Sequence, residues 1–237
     1  MGGSEPNVVA LIAGAGSGRR IGGVPKQYRL LGALPLIVRS AWVFERHPRI
    51  ASLIVVAPRG DVDRVQTLFR DVGFEKVQNV VAGGANRSES VANGLAVLVR
   101  QAEIVVVHDA VRPFVAPADV DAVIEAALSH GAASLALGVS DTLRNRSDGC
   151  FGEDIDRAMA VRVQTPQAFR AEVLKRAHAD SEDVRAEATD DAALVMGVGI
   201  PVRIVPGSSF NFKITTPDDW MLARAIWPRW KKMQRIE

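Results

Sequence analysis

Val8-Val9-Ala10-Leu11-Ile12-Ala13-Gly14-Ala15-Gly16-Ser17-Gly18-Arg19-Arg20 is an apolar, partly β-branched run that passes without a break into a glycine-rich loop. Read as a strand from Val8 to Ile12, it delivers small residues to its carboxyl end, where glycine lets successive backbone N–H groups turn toward an anion. The loop is either a phosphate cradle or a tight strand-to-helix turn. The dinucleotide fingerprint fails: counted from Gly14 its last glycine is replaced by Arg19, and counted from Gly16 by Ile21. A Walker A loop needs a Gly-Lys pair, and the chain has none. What remains is a glycine loop with two arginines, followed by Pro25-Lys26-Gln27, in which basic side chains would hold a polyphosphate.

Outward from this loop, short β-branched runs alternate with amphipathic helical patterns, the signal of βαβ units feeding a parallel sheet. The pattern predicts a helix over Leu36 to Phe44, a strand over Leu53 to Ala57, and a helix capped by Asp61 that buries Val65, Leu68, Phe69 and Val72. It continues with a strand Val77 to Val81, a helix from Ser88 to Val99 and a continuous apolar strand Ile104 to Val107, of the kind buried on both faces. A helix opened by Pro117 and a strand Ala133 to Val139 follow. Ser140 to Arg157 is polar, contains glycine and lacks a helical stripe, and reads as a protruding arm or hairpin. Beyond Arg162 the pattern predicts helices near Glu172 to Ala179 and Asp190 to Met196, a strand Val202 to Val205 and a last helix Pro217 to Ile226.

The 237 residues are 48% apolar and 24% charged, enough to bury a sizeable core and without a disorder signature. The 29 basic and 27 acidic residues leave a net charge of +2, so no overall field marks a nucleic-acid binder. Only six of the 29 are lysine; the arginine bias suits bidentate phosphate recognition but equally reflects a GC-rich genome. The single cysteine, Cys150, excludes an internal disulfide and fits a reducing compartment. No stretch has the length of a membrane span or of a secretory apolar region. The expected partners are therefore small molecules, with no nucleic acid and no membrane, in the cytoplasm. The Trp227-Pro228-Arg229-Trp230-Lys231-Lys232 tail is expected to be a solvated end with one or two tryptophans packed back.

Three further constellations carry chemistry. His108-Asp109-Ala110-Val111-Arg112-Pro113 follows the buried strand, so Asp109 and Arg112 should emerge on the sheet edge that carries the glycine loop. Asp109 there can hold a divalent cation against phosphates and Arg112 can grip a second anion, although a salt bridge within a turn would also account for Arg112. Gly83-Gly84-Ala85-Asn86-Arg87-Ser88-Glu89-Ser90 opens a helix, with Ser88 the expected N-cap and Ser90, one turn in, the better ligand candidate. Phe212-Lys213-Ile214 reads as a short strand whose alternation sets Lys213 apart from its apolar neighbours, so that burying it demands an anionic partner. Thr165-Pro166-Gln167 and Thr189-Asp190-Asp191 read as polar turns.

Taken together and in this order, these elements resemble the 2-C-methyl-D-erythritol 4-phosphate cytidylyltransferase family from about Val8 to Ile226. The likeness includes Pro25-Lys26-Gln27-Tyr28, Asp141-Thr142, Asp156-Arg157, Gln164-Thr165-Pro166-Gln167 and Lys213-Ile214-Thr215. The resemblance implies a Rossmann-like three-layer α/β nucleotidyltransferase domain spanning residues 1–237, with a mostly parallel sheet and a dimerisation β-arm inserted at about 140–160. It implies that Arg20, Lys26 and Lys213 are catalytic. Ala15, Gly16, Gly18, Gly84, Ala85, Ser90 and Asp109 would bind CTP, and Asp109 would also meet Mg²⁺ or another divalent cation. Arg112, Thr142, Arg157, Thr165 and Thr189 would meet a sugar-alcohol phosphate, with the arm reaching across a homodimer so that each site is shared.

The chain departs from the family in two places. It reads Ala13-Gly14-Ala15-Gly16 where Pro-Ala-Ala-Gly is usual, and Ala85 stands where an acid is common. The first departure, with Val111 and Phe114, leans toward ribitol-5-phosphate cytidylyltransferases, whereas Asp156-Arg157 favours the methylerythritol enzyme. A non-catalytic nucleotide-binding module is disfavoured by the presence together of Lys26, Asp109, Arg112 and Lys213. An acceptor phosphate is already a nucleophile at neutral pH, so His108 is expected to brace the Asp109 loop as a neutral imidazole rather than act as a base.

Overall fold

In the strand Val8–Ala13 (β1), Val8, Ala10 and Ile12 join one buried cluster while Val9 and Leu11 join another. This is the period-two sorting of a strand covered on both faces. The computed structural model describes residues 6–16, 24–179 and 188–234. In chain order, β1 is followed by the small hairpin β2 (Leu30–Leu31) and β3 (Leu34–Pro35), α1 (Leu36–Arg46), β4 (Ile50–Ala57), α2 (Val62–Asp71), β5 (Val77–Ala82), α3 (Arg87–Ala96), β6 (Ile104–Asp109), α4 (Pro117–His130) and β7 (Ala132–Gly138). After these come the hairpin β8 (Leu143–Ser147) and β9 (Cys150–Ile155), β10 (Val161–Arg170), α5 (Ala171–His178), α6 (Asp191–Gly197), β11 (Arg203–Pro206) and α7 (Pro217–Met233).

The central sheet has the order β11-β7-β10-β6-β1-β4-β5. Its ladders are parallel except at β10, which runs antiparallel to both β6 and β7. One face is covered by α1, α2 and α4 through Ile37, Phe44, Val65, Phe69, Val120 and Ile124. The other is covered by α3, α5 and α6 through Val91, Leu95, Leu174, Leu194 and Val195. The α/β, mostly parallel architecture expected from the sequence is therefore present. A third cluster docks α7 onto the segment after β6, with Trp227 and Trp230 packed around Phe114, Val111 and Ile214. Among the described residues no helix is long and apolar enough to cross a membrane.

The arm between β7 and β10 is an antiparallel hairpin that, among the described residues, pairs with no other strand. Asp148 and Gly149 form its two-residue tip with φ of 50° and 81°, the positive values that a type I′ turn requires and that an Asp-Gly pair supplies.

The structure differs from the sequence expectations at several points. β10 is a full strand where only a polar turn was expected. Asn86, not Ser88, caps α3, its side chain accepting from the Glu89 N–H at 2.8 Å; the helix ends at Ala96 rather than Val99. Asp61 stands at the N-cap of α2 but makes no cap bond; its carboxylate accepts from the Tyr28 hydroxyl at 2.7 Å instead. Lys213 lies on an irregular segment, not a strand. The last helix runs to Met233 through Pro228, further than expected, with Trp227 and Trp230 packed back into the third cluster as expected and Arg229, Lys231 and Lys232 exposed.

Phe169 is fully buried in the second cluster and sits opposite Val105 and Ala132 in the two ladders of β10. Phe169→Ala is expected to lower the unfolding free energy by roughly 3–5 kcal/mol. Urea denaturation checks this; a loss below about 1 kcal/mol would show that β10 is not held by this contact.

Candidate active site

β1 and β6 are paired so that Ala13 stands opposite Asp109, and both strands release their chains at the same edge. The Ala110 N–H donates to the Ala13 carbonyl at 3.1 Å and the Gly14 N–H to the Val56 carbonyl at 2.8 Å, so the glycine loop begins directly beside Asp109. A Cβ on Gly14 would stand 2.7 Å from Ile37 Cδ1 and 2.9 Å from the Val56 carbonyl oxygen. Glycine is required there by close approach. Gly16 is exposed, and its carbonyl accepts from the buried Gln27 side chain at 2.9 Å.

Asp109 is 6% exposed and lies among three cations. Lys213 Nζ is 3.0 Å from Oδ2, Arg112 Nε 3.2 Å from Oδ2, and Arg87 Nε 3.5 Å from Oδ1. Burial alone would raise the carboxyl's pKa, but Arg87, Lys213 and Arg112 reverse that and hold it well below the usual carboxylate range. Arg87 continues the network to the buried Asp191, Nη1 to Oδ2 at 2.6 Å, and Asp191 Oδ1 meets His178 Nε2 at 3.0 Å. Arg87 Nη2 is buried without a hydrogen-bond partner, leaving a spare donor on the residue that joins the two acids.

The strand end is braced from behind by His108. Its Nε2 lies 3.0 Å from the Arg112 carbonyl, which can only accept, so Nε2 carries the proton. Nδ1 then accepts from the Thr165 hydroxyl at 3.0 Å, and Thr165 Oγ1 in turn accepts the Asp109 N–H at 3.0 Å. Burial pushes the imidazole's pKa down to about 4, so it is neutral at ordinary pH. The neutral bracing histidine expected from the sequence is what this geometry requires.

Lys213 is delivered by a loop fastened at both ends. Arg112 Nη1 donates to the Asn211 carbonyl at 2.8 Å, Asn211 Nδ2 to the Thr165 carbonyl at 2.7 Å, and the Ile214 N–H to the Val111 carbonyl at 3.0 Å. Phe212 stacks on Phe114 with ring centroids 5.4 Å apart. Lys26 Nζ donates to the Ile214 carbonyl at 3.4 Å, which brings both lysines to one corner. The side chain of Lys213 is 39% exposed, so its ammonium also faces the mouth of the site. Such a mouth, with cations in excess of acids beside a glycine loop, suits a polyanion and the charge that develops on it in a transfer reaction.

The family model for 2-C-methyl-D-erythritol 4-phosphate cytidylyltransferase (IspD) matches residues 8–229. The chain belongs to this family. It is 47% identical to the Salinibacter ruber protein of that name over 226 residues, 94% of each chain. It is 41% identical to the one from Syntrophus aciditrophicus, over 94% of this chain and 96% of that protein. Among solved structures, a 4-diphosphocytidyl-2C-methyl-D-erythritol synthase from Anaerococcus prevotii superposes with a TM-score of 0.82 at 26% identity, over 95% of this chain and all of that one. The Thermus thermophilus cytidylyltransferase gives 0.76 at 34%, over 92% and 96%.

Of the residues the resemblance singles out, Arg20 and Gly18 lie outside the described residues. Ala15, Gly16, Lys26, Asp109, Arg112, Thr165 and Lys213 gather where β1 and β6 end beside the middle of β10. Gly83 lies against the first loop, since a Cβ there would collide with Ala15 Cβ, which brings Gly84, Ala85 and Ser90 to the same crevice. Two of the N–H groups on this loop are already engaged: Gly84 N donates to Ser90 Oγ at 3.1 Å and Ala85 N to Glu89 Oε2 at 2.8 Å. Arg112 and Thr165 are buried and occupied in bracing. Thr189 is exposed at the turn before α6, and Thr142 and Arg157 are exposed at the base of the arm, where Arg157 Nη1 donates to the Ser140 carbonyl at 2.7 Å.

Arg87, to which the sequence assigns no role, and Asn211 are positioning groups of this site. The Arg87 signal, a lone arginine at the start of a helix that follows Gly-Gly, was present but had no partner visible along the chain.

Asp109, whose oxygens face Lys213, Arg112 and Arg87, lies at the mouth, and among the described residues no group of three or more His, Cys, Asp or Glu gathers to make a cage. That donor set fits Mg²⁺, which binds through one or two carboxylates together with substrate phosphates and keeps several waters.

The folded pKa of His108, near 4, lies below its ordinary 6.5. The unfolded chain therefore takes up the proton first as pH falls, and stability is lost between about pH 6.5 and 4, by roughly 3 kcal/mol at most. Nitrogen-15 NMR of the imidazole is expected to show protonated Nε2 and bare Nδ1, unchanged from about pH 8 to pH 5. A titration midpoint near 6.5 would contradict the bracing role.

Proposed function

We propose that the protein transfers a cytidylyl group from CTP to 2-C-methyl-D-erythritol 4-phosphate, releasing pyrophosphate, in non-mevalonate isoprenoid precursor biosynthesis. The observation that carries this reading, beside family membership, is the convergence of Lys26 and Lys213 on the glycine-loop edge at Asp109. The acceptor's phosphate oxygen attacks the α-phosphorus of CTP, forming a new P–O bond as the α–β anhydride bond breaks and pyrophosphate leaves. Both reactants are anions, so their repulsion has to be offset before proximity can help. Lys26 and Lys213 supply positive charge from the corner they share, and we assign Arg20 to the same task. No proton need be removed from the phosphate, which leaves His108 free to hold Asp109 and Arg112 in place. Mg²⁺, held by Asp109 and the nucleotide's phosphates, would further neutralise the triphosphate.

We assign nucleotide binding to Ala15, Gly16, Gly18, Gly84, Ala85 and Ser90, with cytosine met by Ala15, Gly84, Ala85 and Ser90, and acceptor recognition to Arg112, Thr142, Arg157, Thr165 and Thr189. Methylerythritol phosphate is preferred to ribitol 5-phosphate because the relatives matched over nearly the whole chain carry its name. A retained set of cations in one place disfavours a non-catalytic binding module. The exposed Cys150 thiol supports a reducing cytoplasm.

The separate arm supports a homodimer with shared sites. Its Phe151 is 88% exposed, and Met159 at its base is 85% exposed, a large apolar cost for a surface left bare. By this reading Thr142 and Arg157 complete the site of a second copy.

Lys213→Ala is expected to lower kcat on the order of 10²- to 10³-fold while the circular dichroism spectrum is retained. In a pyrophosphate-release assay with CTP and Mg²⁺, methylerythritol phosphate should be turned over and ribitol 5-phosphate should not; the reverse order would overturn the acceptor assignment, and full activity of Lys213→Ala would remove Lys213 from the mechanism. For the arm, Lys213→Ala and Arg157→Ala chains mixed under exchange should regain activity that neither has alone, because one site of each mixed dimer is intact. A mixture no more active than its parts would place each site within one chain.

A further inference from the structure

Arg39 is 7% exposed on α1, yet the groups that usually accompany a buried guanidinium are missing around it. Its Nε donates to the Leu31 carbonyl at 3.0 Å and its guanidinium lies 4.3 Å from the Trp227 ring centroid. Nη1 has no hydrogen-bond partner, and among the described residues no carboxylate lies within ion-pair distance. Burial accordingly lowers its pKa with no acid to restore it, in contrast to Arg87 and Arg112, each of which faces Asp109. An unpaired buried cation is costly, and natural interiors pair such groups.

Arg39 lines a cleft of about 220 Å³ between α1, the start of α4 and the end of α7. Its walls are Trp42, Pro113, Val115 and Trp230, with Arg46 stacked over Trp42 at 5.0 Å. Trp42 Nε1 is a second buried donor with no partner. Among the described lining residues the only acid is Asp121, and it faces His47 Nε2 at 3.4 Å and Arg49 Nη1 at 3.7 Å rather than Arg39. The cleft thus joins aromatic walls to two cations and spare donors, and none of its lining residues is among those gathered at Asp109. Its volume is below the roughly 300–1,000 Å³ of pockets for drug-sized ligands, which suits a one- or two-ring molecule.

We propose that this cleft is a second ligand site, for a small organic anion with a flat apolar body. The carboxylate or phosphate group pairs with Arg39 and Arg46, and the ring lies against Trp42 and Trp230. Charge-assisted hydrogen bonds at a desolvated guanidinium supply the selectivity for an anion.

Calorimetric titration of the full chain with 2-naphthoate tests this, with the neutral isostere 2-naphthalenemethanol as control. The expected result is a Kd on the order of 0.1–1 mM for the naphthoate, at least about tenfold weaker binding of the alcohol, and no displacement by CTP with Mg²⁺. Arg39→Met, if folded by circular dichroism, should weaken naphthoate binding by about tenfold or more. Equal affinities for the two probes, displacement by CTP, no detectable binding, or unchanged affinity in folded Arg39→Met would each overturn the proposal. If Arg39→Met does not fold, the comparison of the two probes on the unaltered protein decides it.

Discussion

A single buried carboxylate, Asp109, organises the sheet edge where β1 and β6 end. An ionised acid in that position is tolerable only because Lys213, Arg87 and Arg112 converge on it, and each of those cations comes from a different part of the chain. Removing the acid would leave three positive side chains repelling one another; removing one cation would leave the acid under-compensated. The network therefore fixes the loop after β5, the segment after β6 and the loop before α7 relative to one another, which is the geometry a triphosphate site needs.

The fold makes this convergence possible. β1 and β6 end side by side, so the glycine loop and Asp109 are neighbours without any long-range adjustment. β10, inserted antiparallel between β6 and β7, brings Thr165 behind Asp109 and Gln164 behind the loop that carries Lys213. The third hydrophobic cluster presses Phe114, Ile214 and Trp227 together, and so ties the C-terminal helix to the loop that carries Lys213. Stability and function share these contacts: packing sets the position of the charges.

Much of this was legible in the sequence. The central parallel strands β1, β4 and β6 are apolar runs rich in Val and Ile, and the arm is announced by a polar stretch around Asp148-Gly149. β10 was hidden because half of its buried residues are polar, Gln164, Thr165 and Gln167, while Val161 and Val163 are exposed, inverting the usual signal over its first half. Pro166 also argued against a strand inside a sheet. It is accommodated because the β10–β7 register is interrupted between Val163 and Gln167, where no ladder donor is demanded. The importance of Arg87 was equally hidden, since its partners Asp109 and Asp191 are distant in sequence and only the folded chain brings them together. Lys213 was identified as a lysine in need of an anion, and the anion is Asp109; the strand assumed for it was wrong because the segment is held by side-chain hydrogen bonds rather than by a ladder.

The central claim is that cations gathered at Asp109 receive the triphosphate. A crystal structure of the protein with CTP and Mg²⁺ tests it most directly. The account predicts the triphosphate at the glycine-loop mouth, with phosphate oxygens about 3 Å from the ammonium groups of Lys213 and Lys26. A triphosphate bound elsewhere, with both ammonium groups turned away from it, would contradict the account.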